Sequence, residues 1–415
     1  MGIYRRQGER GAVLFSATLL VILTAAPAAR ENLPIGRITI EGLKRTRIAT
    51  VRRILNVKEG DLWTPEARET AERRLRNFGT FTNISLEEEI LDGKVDMRIH
   101  LEDRWTLFPV PIITTGSGAS YGIGVFERNF LGLQKNVGAI FLVKQKKPRL
   151  FALYNDPHFL SWNWELTLTA GFSEERIVDF LQEQTTAAFS LRYRFSDDFS
   201  LLGGMRITRY RHSEGALTPV NGDSGQILLG AEYNRLYLDE DYIQGAQFRA
   251  ELERDLGISD FSITRMKATA ALYHRAVSDH TLAATAWLSL SDDAPYGYGY
   301  ALGGKGGRDT LPVKGYRDNE FIAGQVLSGN LEYRVPVVKS RRFILSAVGF
   351  ADYALFADSP GRLFSEESIA SLGLAIRLYV RRVAIPAFQI YAAYVPERGT
   401  FDIGLWIGGA GPGMR

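Results

Sequence analysis

From about residue 105 onward the chain repeats one pattern. Short runs in which apolar and polar residues alternate are separated by turn residues, with no long helical stretch between them. In the run over 162–172, Trp164, Leu166, Leu168 and Ala170 share one face, opposite Glu165, Thr167 and Thr169. Phe248, Ala250 and Leu252 face away from Gln247, Arg249, Glu251 and Glu253. Leu282, Ala284, Ala286, Leu288 and Leu290 oppose Thr281, Thr285 and Ser289. Further runs cover 120–130, 136–143 and 371–380. A soluble β-sandwich also alternates. Runs of about 10–14 residues, however, suit tilted membrane strands, whereas soluble strands average about 5–6. About 16 runs fill residues 105–415, and counts of about 14 or 18 follow if boundaries move by a few residues. A membrane wall built of strands must close into a barrel, because open sheet edges leave backbone groups unsatisfied in lipid.

The N-terminus has a different character. Arg5, Arg6 and Arg10 precede an apolar run over 12–26, and Ala26-Pro27-Ala28 offers small residues for cleavage after Ala28 or Ala29. Residues 1–29 therefore read as an export signal. The apolar run is short for a membrane span, and a retained anchor helix is the competing reading. No later stretch reaches about 18 uninterrupted apolar residues, so no helical span is expected beyond it. Cysteine is absent, which excludes disulfide frameworks and thiolate metal sites and suits an oxidising periplasm. The formal net charge is +3, and segment 1–29 carries three arginines against one glutamate, so the rest is nearly neutral. Nucleic acid is not an expected partner of so balanced a chain.

Residues 31–104 read as a small α/β module. Residues 35–42 alternate as a strand that Gly42 ends. Ile48, Val51, Ile54 and Leu55 fall on one helical face. Thr64-Pro65 opens a second helix, with threonine as N-cap and proline preorganised at the first helical position. Ala67, Ala71 and Leu75 recur every four residues, and Gly79 stops the helix. Strands over 84–86 and 95–101 follow, with Asp92-Gly93 as the hairpin signal between them.

Between two strand-like runs lies Gly303 to Phe321, read G-G-K-G-G-R-D-T-L-P-V-K-G-Y-R-D-N-E-F. It is too rich in glycine and charge for a strand or helix, and long for a connection, which favours function. A flexible surface loop is the plain alternative. Its centre is Val313, Lys314, Gly315 and Tyr316. Asn330-Leu331-Glu332-Tyr333-Arg334-Val335-Pro336 and Phe350-Ala351-Asp352-Tyr353-Ala354 follow, each putting a carboxylate on a strand.

In order and spacing these three pieces resemble the BamA/TamA superfamily of outer-membrane assembly factors. That family carries a V-R-G-F/Y loop, an N-x-E-Y-R-x-P strand and an F-x-D-x-G strand. Lys314 stands where the family has arginine, and Ala354 where it has glycine. The module resembles a POTRA domain, on Thr39-Ile40-Glu41-Gly42-Leu43-Lys44-Arg45-Thr46 and Asn77-Phe78-Gly79-Thr80-Phe81. The resemblance implies a transmembrane β-barrel of the bacterial surface antigen type, with about 16 antiparallel strands, preceded by one POTRA domain. Residues 1–29 are then the signal peptide, 31–104 the POTRA domain and 105–415 the barrel.

On this count the loop joins the eleventh and twelfth strands, where the family's lumen loop lies. Alternation puts Asn330, Glu332 and Arg334 inside, opposite Leu331, Tyr333 and Val335. It also puts Ser346, Phe350 and Asp352 inside, opposite Leu345 and Ala347. The expected site is Lys314 paired with Asp352, Glu332 close by, and Tyr316 packed on Phe350; a solvated Lys314 is the alternative. The final run, Phe401 to Ile407, leads into a glycine- and proline-bearing tail without a terminal aromatic, Trp406 being the nearest. A weakly paired last strand is expected. The resemblance implies a seam between first and last strands that parts to take a client's strand.

No catalytic constellation stands out. His100, His158, His212, His274 and His280 are scattered, without H-E-x-x-H. Gly303-Gly304-Lys305-Gly306-Gly307 lacks phosphate-loop spacing. Asp239-Glu240-Asp241 and Asp292-Asp293 read as solvated turn charge, and Gly116-Ser117-Gly118 as a turn. Neither enzyme activity, metal nor cofactor is expected. The leading expectation is insertion, assembly or translocation of proteins at the outer membrane. Its partners would be outer-membrane lipid, client polypeptides at the POTRA edge and the barrel seam, and accessory periplasmic proteins or lipoproteins. A passive pore or dedicated polypeptide exporter plugged by the loop, a structural periplasmic tether, and an enzyme using lumen carboxylates are the alternatives, in that order.

Overall fold

The computed structural model of the chain describes residues 32–114, 120–144, 146–177, 180–215, 218–239, 242–277, 279–292, 294–295, 297–304, 310–358, 367–381 and 387–408. The expected export signal, the Gly116-Ser117-Gly118 turn, Lys305 to Gly307, Glu240, Asp241, Asp293 and the tail from Gly409 lie outside the described residues.

The N-terminal module packs two helices, Ile48–Leu55 and Pro65–Asn77, on one four-stranded sheet. Across the sheet the order is Leu62–Trp63, Leu33–Glu41, Lys94–Asp103, Phe81–Leu91. The two central strands run parallel and the outer pairs antiparallel. Thr64 caps the second helix by accepting from the Ala67 N–H at 3.1 Å. Asp92 and Gly93 both take positive φ, the geometry of a tight two-residue hairpin. Val51, Ile54, Leu55, Ala71 and Leu75 bury against Ile35, Ile38, Met97 and Ile99. Two details differ from expectation. Leu62–Trp63 adds a two-residue strand between the helices, because Trp63 turns into the core opposite Leu33. Ile48 is exposed, since the first helical residue sits beyond the sheet that covers Val51 and Ile54.

The remaining strands form one sixteen-stranded antiparallel sheet. In chain order they are Leu107–Thr114, Ser120–Phe130, Lys135–Lys144, Lys147–Asp156, Trp164–Ile177, Phe180–Arg194, Phe199–Ser213, Gly222–Asp239, Tyr242–Asp255, Thr264–Arg275, Thr281–Asp292, Gln325–Lys339, Phe343–Ala357, Glu367–Val380, Ala387–Val395 and Thr400–Gly408. Each pairs with its neighbour in sequence, and the first and last come side by side. No ladder joins those two among the described residues. The last strand is not weakly paired on its other side: register runs unbroken from Val395↔Thr400 to Ala387↔Gly408.

Alternation holds along the wall. Leu331, Tyr333, Phe248 and Leu252 are exposed outward, while Asn330, Glu332, Arg334, Gln247 and Glu253 are buried inward. The inner charges are paired, Arg206 with Glu253 at 2.9 Å and Arg192 with Glu232 at 2.7 Å. Buried charge is tolerated only in such partnerships. No helix among the described residues is long and apolar enough to cross a membrane.

The module is docked on the rim where the wall strands begin. Arg73 and Arg74 of its second helix pair with Asp198 and Asp197 in the turn after the sixth strand. Asn77 donates to the Leu236 carbonyl at 2.8 Å and accepts from the Leu238 N–H at 3.1 Å. The His158 ring lies between Phe78 and Trp162, with centroids 5.3 and 5.0 Å away. On the other flank, Asn129 and Gln134 donate to the Thr46 hydroxyl at 2.7 and 3.2 Å. Gly132 has φ +74, and a Cβ there would lie 2.3 Å from the Arg45 carbonyl, so only glycine allows this approach. The module thus covers the turns at both ends of its contact arc, from the second strand to the eighth.

Candidate functional site

The connection between the eleventh and twelfth strands folds back into the barrel. It is not free of strand structure, as its glycine content suggested. Tyr300–Leu302 pairs with both Thr310–Leu311 and Phe321–Ala323 in a three-stranded sheet. Tyr300, Leu302, Val313, Tyr316, Ala323 and Val326 form one buried cluster, which compensates for the short ladders.

Period-two alternation and strand register set the receiving surface. Asn330 lies opposite Asp352, and Glu332 opposite Phe350, on the twelfth and thirteenth strands. All four point inward and are buried, so they make a compact two-by-two patch. Lys314 reaches this patch. Its Nζ lies 3.2 and 3.3 Å from the two Asp352 oxygens and 3.9 Å from Glu332. Its backbone N–H also donates to Asp352, at 2.9 Å, and the Asn330 amide donates to the other carboxylate oxygen. The Lys314 ammonium sits 4.4 Å from the Phe350 ring centroid, a cation–π distance.

Glu332 belongs to a larger network. Arg334 pairs with it at 2.8 Å and Arg377 at 3.4 Å, and Arg377 donates to Gln389 at 2.7 Å. One carboxylate therefore balances Arg334 and Arg377 and lies near Lys314. Arg377 escaped the sequence reading, although its inward parity with Ser371 and Ala375 is visible in the alternation of its strand.

Tyr316 does not pack on Phe350, which corrects the expectation. Gly315 has φ +91, and a Cβ there would meet Val395 at 2.7 Å. That turn sends Tyr316 away from the Asp352 patch. Its ring meets Phe321 edge-on with centroids 5.9 Å apart, and its hydroxyl donates to Glu397. Burial, then the Glu397 carboxylate, pushes the phenol above its ordinary range, which keeps it a donor. Arg398 lies 4.6 Å over the same ring and pairs with Glu320 at 2.6 Å. Glu397 and Arg398 carry no periodic signal and are recognisable only from the path of the loop. Among the described residues, no three His, Asp or Glu side chains gather as a metal site.

The Omp85 superfamily domain model matches residues 129–380, and the surface antigen variable number repeat (POTRA) model matches residues 33–104. The outer membrane protein assembly factor BamA of Neorickettsia risticii is 27% identical over 146 residues, which span 32% of this chain and 19% of that protein. The chain therefore aligns with about a fifth of the length of that curated relative. Haemophilus ducreyi BamA lacking POTRA domains 1–3 is similar in fold, with TM-score 0.56 and 16% identity over 91% of this chain and 84% of that one. CdiB from Escherichia coli gives TM-score 0.67 and 12% identity over 90% and 76%.

Proposed function

The chain belongs to the Omp85 superfamily, and from that premise we propose that it inserts, assembles or translocates proteins at a bacterial outer membrane. Residues 105–415 would be the barrel, 31–104 its periplasmic POTRA domain and 1–29 the signal that exports it. The observation that carries this reading is the lumen loop fixed on Asp352 beside first and last strands that no ladder joins among the described residues. A wall closed by a ladder could only pass material through its lumen. A wall whose first and last strands lie side by side without a ladder can exchange that loose contact for the backbone of another strand.

The POTRA sheet supplies a capture edge. Phe81–Leu91 is its long outer strand, and after the irregularity between Thr82 and Ser85 the stretch Ser85–Leu91 keeps regular register on its inner side. Its outer side can accept an extended client segment through main-chain hydrogen bonds with little demand on sequence. Lys314, Asp352, Glu332 and Phe350 hold the loop, with Val313, Gly315 and Tyr316 shaping its course. No reacting group is required of them: the client's own folding free energy drives the step.

The test uses purified protein in lipid vesicles and a urea-unfolded outer-membrane barrel as client. Client folding is read as resistance to protease and altered gel mobility. Deleting Lys314 to Tyr316 is expected to abolish the acceleration of client folding. Unimpaired client folding together with raised single-channel conductance would instead establish a plugged pore.

A further inference from the structure

Thr281 opens the eleventh strand and Lys339 ends the twelfth, at the barrel end that faces the POTRA domain. Inside that end lies a cavity of about 50 Å³. Strand register builds its wall: Thr281 lies opposite Arg334, Pro336 opposite Ser346, and Ser346 opposite Arg377. Pro336 has no N–H for the ladder, and the register shifts between it and Val338, which puts a bulge in the wall. Arg334 and Arg377 are 7% and 6% exposed. Their Nε and Nη2 groups are taken by Glu332 and Gln389, whereas Nη1 of each has no hydrogen-bond partner among the described residues. The hydroxyls of Thr281 and Ser346, residues 4% and 6% exposed, have none there either. Lys339 at the rim pairs with Asp279. Tyr379, also in the wall, accepts from Arg104 at 3.2 Å, which brings another cation to this end.

Arginine and lysine only donate, and both hydroxyls can donate as well. The nearby carboxylates are already engaged, Asp279 by Lys339 and Arg275, and Glu332 by Arg334 and Arg377. Three cations line the cavity against one carboxylate. Buried donors of this kind cost free energy unless an acceptor meets them. The complementary group carries negative charge and acceptor oxygens only. Its size is bounded, since one water already takes about 30 Å³ of liquid. A single planar oxoanion fits; a lipid headgroup or a nucleotide does not. We propose that the cavity binds one carboxylate of an extended polypeptide, with Arg334 and Arg377 clasping it and the Thr281 and Ser346 hydroxyls donating to it. The site is distinct from the Lys314–Asp352 anchor, neither of whose residues lines it. That the polypeptide is a client rests on the assembly reading, to which this adds a point of capture: a segment coming from the POTRA domain is held at the lumen mouth by a chain-end or side-chain carboxylate.

Titration calorimetry on the full chain in lipid nanodiscs tests this. The probe is a short N-acetylated peptide of alternating threonine and valine, made with a free C-terminal carboxylate, as its C-terminal amide, and as that amide with one central glutamate. Inorganic phosphate is the fourth titrant. The free acid, the glutamate-bearing amide or both should bind at least about tenfold more tightly than the plain amide, because hydrogen bonds to a charged group are the strong ones. Which of the two binds tells a chain end from a side chain. Thr281→Val with Ser346→Ala removes both hydroxyls, keeps every charge and nearly keeps the shape, and should weaken the carboxylate peptide by about tenfold or more. Equal heats for acid, glutamate and plain amide, including none for all three, overturn the proposal, and this arm needs no variant to fold. Phosphate binding more tightly than either carboxylate peptide overturns the assignment to a polypeptide. Undiminished peptide binding by the Thr281→Val, Ser346→Ala protein places the carboxylate elsewhere and overturns it too. Carboxylate-dependent binding by a protein that folds no client would leave the site standing and remove the assembly function. Client folding that stays fully accelerated in the double variant, with peptide binding lost, would overturn the client as the owner of the carboxylate.

Discussion

Asp352 and Asp103 solve one problem at opposite places in the molecule. Each carboxylate holds a segment by its backbone. Asp103, the last residue of the POTRA sheet, accepts from the N–H groups of Lys44, Arg45 and Thr46 at 2.8, 2.7 and 3.2 Å, and from the Thr46 hydroxyl. Asp352 accepts from the Lys314 N–H and ammonium and from Asn330. The difference is charge and water. The donors to Asp103 are neutral dipoles in a half-open turn. Asp352 is 3% exposed and faces a cation that is itself mostly buried. Losing a carboxylate that only gathers dipoles leaves donors that water can reach. Losing Asp352 leaves an ammonium and an amide in a closed site, with Glu332 already committed to two arginines.

The largest expected effect is therefore that of Asp352→Ala. Breaking a buried pair from one side destabilises by about 3–5 kcal/mol, because the remaining charge loses its compensation. The measurement is the urea midpoint in detergent, with trypsin cleavage after Lys314 or Arg317 reporting whether the loop has left the lumen. Lys314→Ala should do less, since alanine keeps the backbone donor and Asn330 keeps its bond. Equal or greater damage from Lys314→Ala would show that the ammonium, and not the backbone contact, dominates the anchor.

Gly315→Ala comes next. A positive φ disfavours a side chain by about 1–2 kcal/mol, and the contact with Val395 adds to it. The same assays should show a loop loosened at Tyr316 with the Lys314–Asp352 pair retained, which separates course from anchor. Asp103→Ala should cost about 1–3 kcal/mol of docking for four donors left without their acceptor, toward the low end because solvent reaches the turn. Burial alone would raise the Asp103 pKa, but the Thr46 hydroxyl and the three N–H groups outweigh it and hold the group below its ordinary 3.8. Its contribution is thus complete above the unfolded value and is lost as pH falls through the lowered one. Cross-linking of the POTRA domain to the rim, followed from neutral to acid pH, would reveal that loss in the parent and not in Asp103→Ala.

How much of this was legible follows from which signals are periodic. The strand wall and the inward rows of Asn330, Glu332, Phe350 and Asp352 were legible, because parity fixes facing and the twelfth and thirteenth strands are adjacent. Phe350 was placed correctly as an inward ring, yet its partner is the Lys314 ammonium. The turn at Gly315, whose φ no sequence pattern announces, separates Tyr316 from it. The contacts of Asp318 with Lys144 and of Glu320 with Arg398, and the rim contacts of Arg73 and Arg74, depend on where a loop or a whole domain lands. A charged residue in an aperiodic turn carries no record of its distant partner.

His158 offers the smallest effect at neutral pH and the cleanest contrast with both aspartates. It is buried at the docking interface between Phe78 and Trp162, and neither ring nitrogen has a hydrogen-bond partner. It serves as an aromatic slab, not as a polar anchor. Burial, then the nearby Arg194 and Arg53, lowers its pKa from 6.5 to about 3. The folded state therefore resists a proton that the unfolded chain accepts between those values. Stability from this site is complete above about pH 6.5 and declines as the pH falls toward about 3. Phenylalanine keeps the stacking surface and removes the titration. His158→Phe should match the parent within about 1 kcal/mol at pH 7, any loss reflecting its slightly larger ring. Its advantage over the parent should then widen steadily on acidification. A constant difference between the two proteins from pH 7 to pH 4 would mean that His158 accepts its proton without disturbing the interface, and that Arg74, 4.5 Å over Trp162, and the Asp197 pair hold the domain there instead.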